Sequence, residues 1–414
     1  MVLPGLLALT TALAWCQEDA VFWMACAALL TAGAWRIDAA SWRGWRKADW
    51  ALVGLMLSLP AWGVAQLAGL GTVIPFETAR SSLRWLTLGT VFCWGLGQPH
   101  PERVLRFAAQ TGVALAALML LQLHTSHGRF LWWFDSGYSD VIFGSFPSHN
   151  NYAQFVELIL PVVLVLAGRG GRLCLLWWAG AALLLASVAV SGSRTGLVLG
   201  LGETTAIFCL AYRRQKANRN AGPHGLRGTG VWAALAALAL GVAYSAGWAR
   251  MGERWAQTDL TGGREPLLRA ALALVRERPA WGSGLGTFAG VYPSQAVVDW
   301  GADVEHAHND WAEFAVEGGI GFAVLVAAPF LWGSRAAIRS GWGIGILAVL
   351  LHACVDYPFP RLAVSGWLYL LLGLVLAWDR QTSGEALSPS ADKTQSRGPA
   401  ENRSPRTRAE GLEE

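Results

Sequence analysis

Apolar runs of near-spanning length recur along this chain, separated by short polar stretches. A helix needs about 17–25 mostly apolar residues to cross a hydrocarbon core. Runs at 2–15, 20–35, 50–70, 85–97, 107–124, 152–168, 173–190, 195–212, 229–247, 312–332, 342–355 and 362–378 approach or meet that length. Several are short, so their boundaries are soft and one hairpin is open to a re-entrant reading. The pattern predicts an all-α, polytopic helical membrane protein with about twelve transmembrane helices. Two stretches break it. The segment 261–321 is polar, with one long loop expected over 248–311, and beyond 380 the sequence turns to Ser, Pro, Arg, Lys and Glu. The expected organisation is therefore a membrane domain over 1–380 and a disordered tail over 381–414 that has too little apolar surface to form a core.

Composition agrees with the pattern. Hydrophobic residues make up 54% of the chain and charged residues 14%, against roughly a quarter charged in soluble domains. The net charge of +4 comes from basic residues in short loops, not from a continuous basic face, so nucleic acid is not an expected partner. The six cysteines form no CxxC pair and lie in or beside apolar runs, where they read as small core residues. The first residues lack a basic n-region and read as a retained first span. Arg36 to Lys47, Arg103 with Arg106, Arg169 with Arg172, Arg213 to Arg227, and Arg335 with Arg339 all fall on one side if about twelve spans are present. That side should be the cytoplasm, placing both termini there and the polar clusters on the opposite, periplasmic side. The 23 tryptophans gather near predicted span ends as interface anchors.

The clusters on that side carry the candidate chemistry. Arg194 closes Ser191-Gly-Ser-Arg at a junction of two spans. It reads either as a snorkelling interface residue or as a guanidinium for phosphate, whose oxygens its planar fork matches. Arg264 opens an amphipathic stretch with apolar positions at Leu267, Leu268, Ala271, Leu272 and Val275, which Pro279 should end near Arg278. Arg269, Arg276 and Arg278 read as its solvated face. His306 and His308 flank one alanine before Asn309, Asp310, Glu313 and Glu317. A helix starting near Asn309 puts the three carboxylates on one face and carries Glu317 into the membrane zone, where a carboxylate is a functional candidate. An imidazole there can act as a general base, its tautomer fixed by a neighbouring carboxylate. No third ligand at diagnostic spacing supports a metal. Asn150 and Asn151 either bind sugar hydroxyls or cap the next helix. Asp356 either counters an arginine or binds the acceptor, and His352, one turn deeper, reads as a packing residue. Gly282-Ser-Gly-Leu-Gly286 lacks the strand that a nucleotide-binding fingerprint requires, so no nucleotide cofactor is expected.

Taken in order, these pieces resemble the O-antigen ligase and polymerase superfamily of bacterial membrane glycosyltransferases. The matching elements are His149-Asn-Asn-Tyr-Ala153 with Glu157 and Pro161, Ser191-Gly-Ser-Arg194, Gly263-Arg264, Pro279-Ala-Trp-Gly282-Ser-Gly-Leu-Gly-Thr-Phe288, His306-Ala-His-Asn-Asp-Trp311 with Glu317-Gly-Gly319, and His352 through Asp356. They span roughly 140–378. The glycines after Glu317 run one residue tighter than is common in that family, which leaves the helix entry open. The resemblance implies transfer of a glycan from undecaprenyl diphosphate to an acceptor hydroxyl at the periplasmic face of the bacterial inner membrane, with no metal, nucleotide or other cofactor. It further implies that His308 is the base or acceptor-activating group and that Glu317 and Asp356 are supporting catalytic carboxylates; His306 remains a second catalytic candidate from its place beside them. Arg194 and Arg264 would hold the diphosphate, and Asn150, Asn151, Asn309 and Asp310 would touch glycan or acceptor. Lipid A–core is the favoured acceptor. A polysaccharide polymerase or a protein O-oligosaccharyltransferase is the alternative within the superfamily, and a transporter or lipid-linked sugar flippase the alternative outside it.

Overall fold

The computed structural model describes residues 1–16, 18–35, 45–135, 143–217, 264–301 and 303–385. The expected span at 229–247, the first part of the expected loop and the tail beyond 385 lie outside these residues. In chain order the helices are α1 (Val2–Ala12), α2 (Asp19–Trp35), α3 (Lys47–Ala65, continued by a wide turn over Gln66–Leu70), α4 (Pro75–Leu96) and α5 (Pro101–Thr125). Then follow α6 (His149–Gly168), α7 (Cys174–Ser191), α8 (Arg194–Ala217), α9 (Arg264–Glu277), the short α10 (Phe288–Val291), α11 (Asp310–Ser340), α12 (Ile344–His352) and α13 (Leu362–Glu385). A two-stranded ribbon at Arg129–Phe130 and Phe134–Asp135 is the only sheet among the described residues. Seven described helices are long and apolar enough to cross a membrane.

Burial sorts these helices into an inner and an outer set. The apolar windows of α6 and α13 are 89% and 83% buried, against 28% for α3 and for α8, so α6 and α13 form the centre of the bundle. Helix α13 packs against α4 on one side and α6 on another. Packing, rather than expulsion of water, holds apolar helices together inside a bilayer. It is dense here: Trp85 of α4 meets Phe314 and Phe322 of α11, Phe359 just before α13, and Tyr369 within α13, at ring separations of 5.5–6.3 Å.

Basic loops and polar clusters separate to opposite ends of the bundle. At one end Arg169 pairs with Glu102 (3.0 Å), Arg339 with Asp379 (2.8 Å), and Arg380 with Asp49 (3.1 Å), while Arg214 reaches the Arg339 carbonyl. Gln381 donates to the carbonyls of Gln98 and Pro99 there, which carries α13 past residue 380, where the tail was expected to begin. At the other end the starts of α4, α6, α8, α11 and α13 meet the ends of α1, α3, α7 and α12. Ser145 donates to the Thr11 carbonyl (2.5 Å), and Asn151 to that of Tyr357 (3.4 Å).

Helix α4 starts ten residues before the expected apolar run. Pro75 occupies its first turn, as a residue without an N–H can do at no cost. Its early turns carry Glu77, Arg80, Ser81 and Arg84, polar residues that a hydropathy reading rejects as spanning but that a helix can turn toward a protein interior.

Candidate functional site

The site is built where α11 begins. Asn309 caps that helix by accepting from the Ala312 N–H (3.0 Å), so the helix starts where the sequence pattern puts it. Two hydrogen bonds fasten this start to the turn after α12: the Asp310 N–H donates to the Ala353 carbonyl (2.9 Å), and the Phe359 N–H to Asp310 Oδ2 (3.0 Å). That clamp brings Asp356, 46 residues away along the chain from Asp310, beside the histidine segment.

Asp356 is the hub. Its side chain is 1% exposed, with Oδ1 lying 3.3 Å from His308 Nδ1 and Oδ2 3.6 Å from the guanidinium of Arg264. The Tyr357 N–H donates to Oδ1 as well (3.0 Å). Burial alone raises a carboxyl pKa; here the imidazole of His308 3.3 Å away, together with His352 and Arg264, outweighs it and holds Asp356 below the ordinary carboxylate range. Arg264 opens α9, whose buried Leu267, Ala270, Ala271 and Leu274 pack with Phe288, Tyr292, Ala307 and Val316. Leu268 and Leu272, expected on the packed stripe, are exposed instead, because the seam turns about one position toward Ala270 and Leu274. Ala307, between the two histidines, is buried in that seam, which fixes both imidazoles relative to Arg264.

The two imidazoles share one aromatic ring. His306 stacks on Tyr357 at 4.4 Å and 25°, and His308 meets its edge at 4.8 Å and 79°. Burial pushes the Tyr357 hydroxyl pKa up, with Arg361, 5.4 Å above the ring, pulling the other way. His306 Nδ1 lies 3.0 Å from Glu313 Oε1, whose second oxygen accepts from the Ala307 N–H (2.8 Å). His308 has φ +50°, a left-handed conformation that costs a non-glycine residue on the order of 1 kcal/mol and is concentrated at functional sites.

The remaining candidates take distinct places. Arg194 starts α8, half-buried, with no carboxylate within 4 Å among the described residues. Next to it Ser193 donates to Asn150 Oδ1 (2.8 Å). Ser148, not an asparagine, caps α6; Asn151 is spent on Gln154 (2.9 Å) and the Tyr357 carbonyl. Asp310 keeps one buried oxygen without a partner. His352 bonds through Nδ1 to Glu157 (2.7 Å), both fully buried, and its Nε2 is left without a partner. Glu317 accepts from the Phe288 N–H at the start of α10 (3.1 Å). The structure thus brings His306, His308, Arg264 and Asp356 together and sets Arg194 apart from direct contact with them.

Glu317 also lies at a break in α11. Gly319 has φ +77°, and the loop 279–287 closes over the gap: Ser283 N–H donates to the Val316 carbonyl, Gly284 N–H to that of Glu317, and Ile320 N–H to that of Pro279, each at 2.9 Å. Gln66 completes the clasp, donating to the carbonyls of Trp281 (2.6 Å) and Glu317 (2.9 Å) and accepting from the Leu285 N–H (3.0 Å). Irregular backbone at membrane depth survives only when protein satisfies it in this way. The tight glycine run after Glu317 is the sequence form of this break.

Residues 179–327 match the family model described as O-Antigen ligase. That match supports the O-antigen ligase superfamily. It covers Arg194, Arg264, His306, His308, Asn309, Asp310 and Glu317, and it stops short of Asp356 and of the Asn150-Asn151 loop. With the helical bundle, that match supports a multi-pass membrane protein of the O-antigen ligase and polymerase glycosyltransferase kind. No curated protein matches the chain.

Sequence reading missed Arg80 and Arg84. The signal was present: Glu77, Arg80, Ser81 and Arg84 recur at helical spacing before an apolar run, one polar stripe on an otherwise membrane-like helix.

The depressed Asp356 carboxyl gives a signed expectation. Its stabilisation is complete above the unfolded-state pKa, near 4, and is lost only as pH falls through the lower folded-state value. The thermal-stability difference between the wild type and Asp356→Asn should therefore not shrink from pH 7 to pH 5 and should narrow only below about pH 4. Melting curves in detergent across that range check it; a difference that shrinks between pH 7 and 5 would contradict a carboxylate held ionised by its cationic neighbours.

Proposed function

We propose that this protein transfers a glycan from undecaprenyl diphosphate to an acceptor hydroxyl at the periplasmic face of the bacterial inner membrane. One observation carries the reading: a single buried carboxylate, Asp356, lies 3.3 Å from an imidazole and 3.6 Å from a guanidinium. Asp356 orients Nδ1 of His308 and leaves Nε2 to take the proton from the acceptor hydroxyl. The acceptor oxygen then forms a bond to the anomeric carbon as the bond from that carbon to the phosphate oxygen breaks, and the electron pair leaves with the diphosphate. Arg264, with Arg194 beside the Asn150 loop, stabilises the charge on that leaving group. Losing one such fixed donor typically costs a factor of about 10²–10³. His306 and Glu317 support the base and the loop around it, and Asn150, Asn151, Asn309 and Asp310 border the space for glycan and acceptor.

The positive-inside rule supports the periplasmic placement: the short basic loops that hold Arg169 and Arg339 lie at the end of the bundle opposite His308. Both termini are then cytoplasmic. Apart from the break at Gly319, the polar groups gather at one end of the bundle, which favours surface chemistry over transport. Lipid A–core is the acceptor favoured here, with a polymerase or a protein O-oligosaccharyltransferase as the alternative.

The test is reconstitution of the full chain in vesicles with a lipid-linked glycan and, separately, lipid A–core, a second carrier-linked unit and a hydroxyl-bearing peptide. Product on lipid A–core is expected. Product only on the carrier-linked unit or the peptide would reassign the acceptor, and no transfer to any of the three would sink the enzymatic reading.

A further inference from the structure

A cavity of about 570 Å³ opens beside His306. It is walled by the α1–α2 hairpin, the polar first turns of α4, residues 286–290 and residues 360–363. His306 lines it, whereas His308, Arg264, Arg194 and Asp356 do not. The two histidines share the Tyr357 ring, but only His306 borders this cavity.

The cations of this cavity are not equivalent. Arg80 is neutralised by Asp19 (2.8 Å) and Glu77 (3.7 Å), and Arg361 reaches Glu305 (4.0 Å). Arg84 uses one N–H group on Ser81 Oγ (3.0 Å) and has no carboxylate within 4 Å among the described residues. Glu313 and Glu317 line the same cavity from α11, but the first is engaged by His306 and the Ala307 N–H and the second by the Phe288 N–H. A guanidinium carries five donors and stays charged, so an enclosed one with spare donors calls for acceptors from a ligand. The lining as a whole holds more carboxylates than guanidiniums, which disfavours an anion and suits a ring that both donates and accepts hydrogen bonds.

We propose that this cavity binds the acceptor's terminal sugar as an uncharged, hydroxyl-rich ring, with Arg84 donating to its oxygens and the second carboxylate oxygen of Glu317 accepting from a hydroxyl. The volume lies in the range of small-ligand pockets. The proposal rests on the glycosyl-transfer reading and divides the site between the two histidines: the diphosphate of the donor on the His308 side, the acceptor sugar on the His306 side. Arg84 is a binding residue for the acceptor, outside both the family match and the motifs that carry the resemblance.

The test varies the acceptor at saturating donor, and then the donor at saturating acceptor, for the full chain in vesicles. Arg84→Leu should raise the acceptor KM at least tenfold, with donor KM and kcat within about threefold of wild type. Arg84→Gln, which keeps hydrogen-bond donors without charge, should raise it less, by about threefold. Ala289→Phe, which fills the cavity without touching Arg84, should reproduce the acceptor effect and guards against a folding defect of the arginine variants. A rise in donor KM instead, or an unchanged acceptor KM in all three, overturns the site. Equal losses in Arg84→Leu and Arg84→Gln would mark an ion pair with an anionic sugar and overturn the uncharged-ring assignment. Wild-type protein inactive with every acceptor would sink the glycosyl-transfer reading itself, whereas an active wild type without this split sinks only the assignment of the cavity.

Discussion

Replacing His308 by alanine is expected to lower glycan transfer by about 10²–10⁴-fold, the usual contribution of a positioned general base. The two histidines differ in what their environment leaves free. Nδ1 of His306 is engaged by Glu313 and its ring is stacked on Tyr357, so its loss removes packing and a pair that helps hold the segment. His308 is 35% exposed at the side chain, with Nδ1 3.3 Å from Asp356 Oδ1. Its left-handed backbone is retained at a cost, which makes sense if the strained geometry serves the side chain and not the fold. His308→Asn is the useful companion, because asparagine tolerates that backbone region better than alanine and cannot act as a base near neutral pH. Both variants should insert like the wild type and melt somewhat lower, because buried Asp356 loses its imidazole neighbour, while losing transfer almost entirely. Time courses in vesicles decide the matter: either variant retaining wild-type rates would remove His308 from the proton step.

Part of this arrangement was legible in the chain, and the boundary between what was and was not is physical. The start of α11 could be read because capping is local: an asparagine followed by carboxylates and an apolar run specifies a helix N-terminus within four residues. The end of α9 could be read for the same reason, since Pro279 cannot continue a helix, and it stops at Glu277. The meeting of His308, Arg264 and Asp356 could only be expected from the resemblance, because it depends on the clamp between Asp310 and residues 353–359 and on the Ala307 seam. The family match of 179–327 leaves Asp356 outside, so neither motif nor match alone assembles the site. Arg84 escaped for the opposite reason. A window that averages hydropathy treats a polar turn as loop, while the bundle can hold the same turn as helix if it faces a cavity. The Asn150-Asn151 pair shows the limit of local rules: Ser148 performs the capping, and Asn151 is drawn instead to Gln154 and to a carbonyl 206 residues away.

The break in α11 sets the second large expectation, a stability loss in Gly319→Ala. A Cβ at this position would lie 2.3 Å from the Ala280 carbonyl oxygen and 2.8 Å from that of Pro279, so backbone, not a flexible side chain, must move. The positive φ adds on the order of 1–3 kcal/mol for any residue with a Cβ, and forcing an atom into a packed region adds roughly 1–3 kcal/mol more. Pushing the loop away also strains its hydrogen bonds to Val316, Glu317 and Pro279, and with them the contacts of Gln66. Since Glu317 and the Phe288 N–H hang from the same clasp, the variant should lose transfer together with its thermal stability. Gly202→Ala is the matched control: that glycine sits within α8 with nothing within 4 Å of the point a methyl carbon would occupy, and alanine there gains helix propensity of about 0.5–1 kcal/mol. Tryptophan fluorescence melts in detergent should show Gly202→Ala unchanged or slightly raised and Gly319→Ala lowered by several degrees. Coincident melts for the two would mean that the loop over 279–287 gives way without cost, and that the break in the helix does not hold the site in place.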